Sequence, residues 1–299
     1  MFIYKVYGLI IQSDIFMKEL TLFNGTDKAD VVISYGNASK KIDNQEVNED
    51  YIKFSKNEFY MHIKGTSHYY VAYGNKIIVE LEENCNIEDV KIFLLGTCLG
   101  ILLAQRDIVA IHGGAVIING KGIIVTGHSG AGKSTLTTAL RMEGYEFLSD
   151  DVSALKNHIN GHVLIYPTYA QQKLCKDAIE KLGYNYKNFI LIDKSRDKYA
   201  IPLQESFSKY PVPLKAIYEI NIGEDENVSI EKLSGMNKIN TILKNIYRVE
   251  IISCPNFQPK YFKECIEIGK NIEVYKLNRP KGKFSVDRQV KLIKSSLGI

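Results

Sequence analysis

The chain has 299 residues, with 38 Lys and Arg against 34 Asp and Glu and a formal net charge of +4. Hydrophobic residues make up 45% and charged residues 24%, which excludes wholesale disorder, a collagen repeat and a coiled-coil rod. So mild a basic excess does not argue for nucleic acid. The five cysteines are odd in number, widely spaced and without a C-x-x-C, which argues against a disulfide framework or a zinc site and for a reducing cytoplasm.

Residues 1–85 predict a small β-rich N-terminal unit with nothing catalytic in it. Tyr4–Ile11, Val31–Ile33 and Tyr69–Tyr73 are strand-like, and Gly74-Asn75 before Lys76–Leu81 predicts a hairpin. Ser39–Asp50 is polar and predicts a loop. The N-terminus lacks the charged start and long apolar stretch of a signal peptide. Ile87–Gln105 predicts a helix, with Glu88 and Asp89 suiting its positive end. Its apolar run, Ile92–Ala104, is short of the roughly 20 residues a membrane helix needs. A buried helix and no membrane partner are therefore expected.

Residues 86–299 predict the main domain. Ile108–His112 predicts a buried strand broken by Gly113-Gly114. Ala115–Ile118 and Gly122–Thr126 flank Asn119-Gly120-Lys121, a strong hairpin signal. The second strand runs into Gly127-His128-Ser129-Gly130-Ala131-Gly132-Lys133-Ser134, a full G-x-x-x-x-G-K-[ST], and Thr135–Leu140 then suits a helix start. Tyr145–Asp151 predicts a short strand ending in the pair Asp150 and Asp151. Beyond it, Ala170–Leu182 predicts a helix, Leu214–Ile222 and Val228–Leu233 strands, and Ser234–Arg248 a capped helix. The C-terminal stretch carries Lys276, Arg279, Lys281, Lys283, Arg288, Lys291 and Lys294. Such a run is either a solvated face or a dock for an acidic peptide.

The glycine-rich loop has a chemical logic. Glycines let successive backbone N–H groups curl toward phosphate oxygens, and the following helix aims its positive end at the same anion. Gly127 through Ser134, with Thr135, are the expected ATP contacts. Lys133 would bridge the β- and γ-phosphates, and the Ser134 hydroxyl would hold Mg²⁺. Adjacent strand residues face opposite ways, so Asp150 and Asp151 can serve one site only where the strand ends and the chain turns. One would then hold Mg²⁺ while the other meets the acceptor hydroxyl. Alternatively, one is merely a turn residue. His112 lies one hairpin upstream of the loop. Lys194–Tyr199 reads first as a solvated turn, with Arg196 or Lys198 as the alternative stabilisers of phosphate charge, and Arg248 and Arg279 divide in the same way.

Ile111–Thr135 followed by Gly144–Asp151 resembles the catalytic core of HPr kinase/phosphorylase, and still more the HPr-kinase-like serine kinases found beside genes for modified peptides. The likeness covers about 40 contiguous residues, Ile111 to Asp151. It implies an α/β fold with a mixed sheet, a P-loop core related to ATP-type phosphoenolpyruvate carboxykinase, and transfer of the γ-phosphate to a serine hydroxyl. It also implies that His112 lies beside the aspartates and tunes them, and that one aspartate is the base. We assign Asp151 as base and Asp150 as the metal-side partner, with the reverse assignment left open. A signature of the form E-[IL]-R-G-x-G, which in the HPr enzymes follows the aspartates, is absent; the region reads Tyr166–Lys173. The expectation is thus an ATP- and Mg²⁺-dependent kinase of a Ser or Thr on a peptide or small protein. A small-molecule kinase and a non-catalytic ATP-binding regulator are the alternatives, and a homo-oligomer is left open.

Overall fold

The structure is a computed structural model that describes residues 1–41, 50–55, 57–158, 161–193, 197–249 and 259–299. Two units are compact in themselves: Met1–Ala110 with Tyr247–Glu264, and Ile111–Ile246 with Cys265–Ile299.

In the first unit seven strands form one sheet. The strands are β1 (Phe2–Val6), β2 (Leu9–Ser13), β3 (Val31–Tyr35), β4 (Tyr51–Phe54), β5 (Glu58–Ile63), β6 (Ser67–Ala72) and β7 (Lys76–Leu81), in the order β1-β2-β3-β7-β6-β5-β4. The run Tyr4–Ile11, expected as one strand, is a hairpin. Tyr7 and Gly8 take φ of 57° and 75°, the left-handed pair of a tight turn, and Val6 pairs with Leu9. The hairpin expected at Gly74-Asn75 is present, with Ala72 paired to Lys76.

The expected helix over 87–105 comprises α1 (Ile87–Phe93), a π-helical turn (Leu94–Cys98) and α2 (Leu99–Gln105). Asn86 caps it by accepting from the Glu88 N–H at 3.0 Å. Its buried side chains include Val90, Leu94, Cys98, Ile101 and Leu102. Each large one contributes about 1.5–3 kcal/mol by leaving water. They are buried in the first unit, where the Tyr69 hydroxyl donates to the Val90 carbonyl at 3.0 Å. This helix groups with the strands before it, because its apolar stripe packs there. Among the described residues no helix is long and apolar enough to cross a membrane.

The second unit is mixed α/β. Its strands and helices are β8 (Val109–Ile118), β9 (Lys121–Thr126), α3 (Lys133–Met142), β10 (Glu146–Ser149), β11 (Val152–Asn157), β12 (Val163–Tyr166), β13 (Gln171–Cys175), α4 (Lys176–Lys181), β14 (Ile190–Asp193), β15 (Lys198–Pro202), β16 (Val212–Gly223), β17 (Ser229–Lys232), α5 (Gly235–Lys244), α6 (Pro259–Asn271), β18 (Glu273–Pro280) and α7 (Val286–Ser296), β8 and α6 each beginning in the first unit. β9, β16 and β18 are parallel neighbours, so Thr126, Gly223 and Pro280 end on one edge of the sheet. β8 pairs antiparallel with both β9 and β10. β13, β15 and β14 form a separate antiparallel sheet. Leu136 and Leu140 of α3 share one apolar core with Val290 and Ile293 of α7 and with Tyr218 and Leu277 of the strands.

Two expectations are corrected here. Ala170–Leu182 is not one helix: β13 precedes α4, because Gln172 is fully buried and bonded to α3. Gly113-Gly114 does not break the strand: β8 runs through it, paired to Thr126 and Val125. The glycines are there for close approach. A Cβ on Gly113 would stand 2.5 Å from the Val125 carbonyl oxygen, and one on Gly114 would stand 2.9 Å from that of Asp150. Gly113→Ala should therefore destabilise the protein by about 1–3 kcal/mol, the range for overpacking. That exceeds the ~0.4–1 kcal/mol that Ala gains by restricting the unfolded chain. A fall in melting temperature checks it.

Candidate functional site

The glycine-rich loop joins β9 to α3. Gly127, Gly130 and Gly132 take φ of 139°, 80° and 104°, which side chains rarely tolerate. Gly127 also passes so close to β16 that a Cβ would stand 2.6 Å from the Ile220 carbonyl oxygen. Ala131 N–H donates to the His128 carbonyl at 3.1 Å, closing the turn. The exposed His128 ring lies against the loop, its Nδ1 2.7 Å from the Ser129 carbonyl oxygen. Helix α3 starts at Lys133, two residues before the expected Thr135, so Lys133, Ser134 and Thr135 form its first turn. There the leading N–H groups have no intrahelical acceptor and the helix end is electropositive. The Lys133 ammonium reaches back to the carbonyls of Gly127 (2.8 Å) and His128 (3.2 Å). Burial pushes it below the ordinary lysine range, against the pull of Asp151.

Asp150 and Asp151 form the turn between β10 and β11. Gly113 N–H donates to the Asp151 carbonyl at 3.1 Å, which sets His112 on β8 next to the pair. His112 N–H in turn donates to the Asn245 carbonyl at 2.8 Å. Asp150 is buried, and one of its oxygens accepts from the Lys173 N–H at 3.0 Å. Its other oxygen, Oδ1, is buried with no hydrogen-bond partner among the described residues. Burial, then the charge of Asp151, hold the Asp150 carboxyl well above the carboxylate range. Asp151 goes the other way. Burial works to raise it, but Lys173, Lys198, His112 and Lys133 together outweigh burial and hold it below its ordinary value. Its Oδ2 lies 3.5 Å from the Lys173 ammonium. The two neighbouring carboxyls are thus pushed in opposite directions, Asp150 up and Asp151 down, by their different surroundings.

Lys173 is the residue that sequence reading missed. It sits on β13, within the segment read as helix. Its neighbour Gln172 accepts from Thr138 Oγ1 (2.9 Å) and donates to Thr137 Oγ1 (2.8 Å) and the Ser134 carbonyl (3.3 Å). Two consecutive residues of β13 therefore tie the first turn of α3 to the aspartates. Of the other candidate cations, Lys198 acts on both aspartates. Arg279 donates from Nε to the Ala131 carbonyl at 2.9 Å, inside the loop. Arg248 belongs to the first unit, with its guanidinium 5.5 Å from the Tyr247 ring, and Arg196 lies outside the described residues.

A cleft of about 270 Å³ opens beside the loop, lined by Gly130, Gly132, Thr135, Lys181, Arg279 and Phe284 among others. Phe284 is half exposed, and the Lys181 ammonium lies 5.9 Å from its ring centre. Phe284 lies just beyond β18, at the same edge of the sheet as the loop. An isolated aromatic in a basic tail gives no sequence signal.

No family model matches the chain, and no curated protein matches it. Among solved structures it is similar to the HPr(Ser) kinase/phosphatase from Coxiella burnetii, at 15% identity over 63% of this chain and 97% of that chain. The TM-score is 0.33, too slight a likeness to carry an argument about this chain.

The opposed carboxyls predict opposed pH effects. Asp150 binds its proton more tightly folded than unfolded. Its contribution is therefore complete below the unfolded value of about 4 and is lost as pH rises through the folded value. Asp151, held low, contributes above that unfolded value, and the contribution is lost as pH falls through its folded value. Asp150→Asn should therefore melt above wild type at pH 7, with the gain shrinking toward pH 4. Asp151→Asn should melt below wild type at pH 7. Thermal melts across that range check both.

Proposed function

We propose that this chain is an ATP-dependent phosphotransferase acting on a Ser or Thr hydroxyl of a peptide or small protein. The observation that carries it is the pairing of the loop, with Lys133 and the α3 N-terminus at its mouth, with two adjacent aspartates, one buried and one facing Lys173, tied to the same turn through β13. A nucleotide-binding regulator would need the loop but not a divided carboxyl pair.

The residues present fit Mg²⁺. Asp150 Oδ1 is a buried oxygen that lacks a partner, and the Gln172–Lys173 link keeps Asp150 near Ser134. Ser134 and Asp150 would hold the ion, which would supply positive charge to offset that of the phosphates. Asp150 must lose its proton to do so, so Mg-ATP should bind more tightly as pH rises through its folded value.

Lys133 and the N–H groups of the loop hold the phosphates, and Lys198 and Arg279 stand near enough to balance added charge. Asp151, an acceptor-only carboxylate, takes the hydroxyl proton. The hydroxyl oxygen then bonds to the γ-phosphorus while the bond to the β–γ bridging oxygen breaks, and that oxygen leaves on ADP with the electron pair. His112 beside Asp151 helps keep it ionised. The nucleoside lies in the cleft by the loop, with its base against Phe284.

Mass spectrometry after incubation with Mg-ATP and, in separate tubes, serine peptides, HPr and free serine tests the acceptor. A mass gain of one phosphate on a peptide is expected. Stoichiometric phosphorylation of HPr would overturn the acceptor class, and transfer to free serine alone would make this a small-molecule kinase. Lys133→Ala should cost at least about 100-fold in turnover, as loss of a transition-state charge partner does. Phe284→Ala should weaken ATP about tenfold or more, the worth of one base–aromatic stack. Its binding of inorganic tripolyphosphate should be unchanged, which isothermal titration reads directly.

A further inference from the structure

The first unit holds a second cluster of chemistry-bearing side chains. His62 of β5 and His68 of β6 are directly opposite each other across the strands. Their rings stack at 4.2 Å and 12°. Glu82, just past the end of β7, reaches both: its Oε1 lies 2.5 Å from His62 Nε2 and 3.8 Å from His68 Nε2. One ligand atom from each of the three lies within 4.8 Å of the others. We propose that His62, His68 and Glu82 bind a divalent transition-metal ion of the Zn²⁺ class, with the fourth position left to water.

The supporting contacts have the pattern of a metal site. Ligands of Zn²⁺ stand about 2.0–2.1 Å from the ion, which puts neighbouring ligand atoms about 3.3 Å apart in a tetrahedron. Glu82 Oε1 stands 2.5 and 3.8 Å from the two Nε2 atoms, on either side of that spacing. Each orienting partner is on the far atom of its ligand. The Tyr60 hydroxyl lies 2.6 Å from His68 Nδ1, which leaves Nε2 for the ion. The Gly65 N–H donates to Glu82 Oε2 at 2.7 Å, which leaves Oε1. Such partners fix ring and carboxylate orientation in known sites.

A proton shared by His62 and Glu82 accounts for that pair alone. It leaves unexplained why His68 Nε2 faces the same oxygen at a distance too long for a hydrogen bond. Two imidazoles and one carboxylate suit zinc, copper or nickel rather than Mg²⁺ or Ca²⁺, whose ligands are oxygens. The cysteine spacing argued against zinc, but this site takes no cysteine.

The test uses the full chain, stripped with chelator and dialysed against Zn²⁺ in excess Mg²⁺. One retained equivalent is expected, and Co²⁺ should give the intense visible bands of a four-coordinate site. Tyr60→Phe, which removes only the orienting hydroxyl, should weaken Zn²⁺ about tenfold or more. His68→Gln and Glu82→Gln should weaken it further, with circular dichroism reporting an intact fold. No retained Zn²⁺ in the wild type, a weak six-coordinate Co²⁺ spectrum, or equal affinity in folded variants would each overturn the proposal. Should the ligand variants fail to fold, the Co²⁺ spectrum and Tyr60→Phe decide.

Discussion

The approach of two backbones at Gly113-Gly114 governs the candidate site. Gly114 is packed against the Asp150 carbonyl and against the methyl of Thr137, with a would-be Cβ at 2.9 and 3.1 Å. Three elements therefore meet where no side chain fits: the strand bearing His112, the turn bearing the aspartates, and the helix that follows the glycine-rich loop. Polar bonds fix the meeting. Ser153 Oγ donates to the Gly113 carbonyl at 2.8 Å and lies 2.7 Å from Ser149 Oγ, so the two sides of the aspartate turn are tied to each other and to β8. Moving any one of the three would move the others, since packed interiors shift as units rather than deform locally.

That closeness forces the electrostatics. Two adjacent carboxyls held beside a lysine-lined turn are pushed apart in their affinity for a proton, and the backbone decides which is which. Asp150 faces inward, where water cannot solvate a charge. Asp151 faces Lys173, which can balance one. The two carboxyls are thus distinguished by burial and by the charge beside each.

The parts legible in the sequence are those whose signals are local. Asn119 and Gly120 take φ of 50° and 73° and close the hairpin their types prescribe, and Gly127–Ser134 leads from a strand into a helix as its pattern requires. What failed needed tertiary facts. Gly113-Gly114 reads as a break by composition, yet the strand continues because neighbouring backbones need the space. Ala170–Leu182 has helical composition, but the hydrogen bonds of Gln172 to Thr137 and Thr138 are worth more than propensity. That misreading hid Lys173, whose role depends on being in a strand. Tyr4–Ile11 hid a turn because Tyr7 takes a left-handed conformation that tyrosine rarely adopts.

The root of the loop shows the same dependence on distant residues. Thr126, the last residue before Gly127, lies beside Glu219 in the parallel pairing of β9 and β16. Its hydroxyl is 2.7 Å from the His112 carbonyl oxygen and 3.0 Å from Asn245 Oδ1. Asn245 Nδ2 then donates to Glu219 Oε1 at 2.7 Å, and the Lys244 ammonium lies 2.8 Å from Glu219 Oε2. Glu219 is only 4% exposed. A buried carboxylate stripped of its partners costs about 3–5 kcal/mol, so this network holds together or not at all. It clamps the end of β9 to the strand beside it and to the end of α5. The glycines of the loop, at φ values that side chains rarely tolerate, thus leave a strand end that is held on three sides.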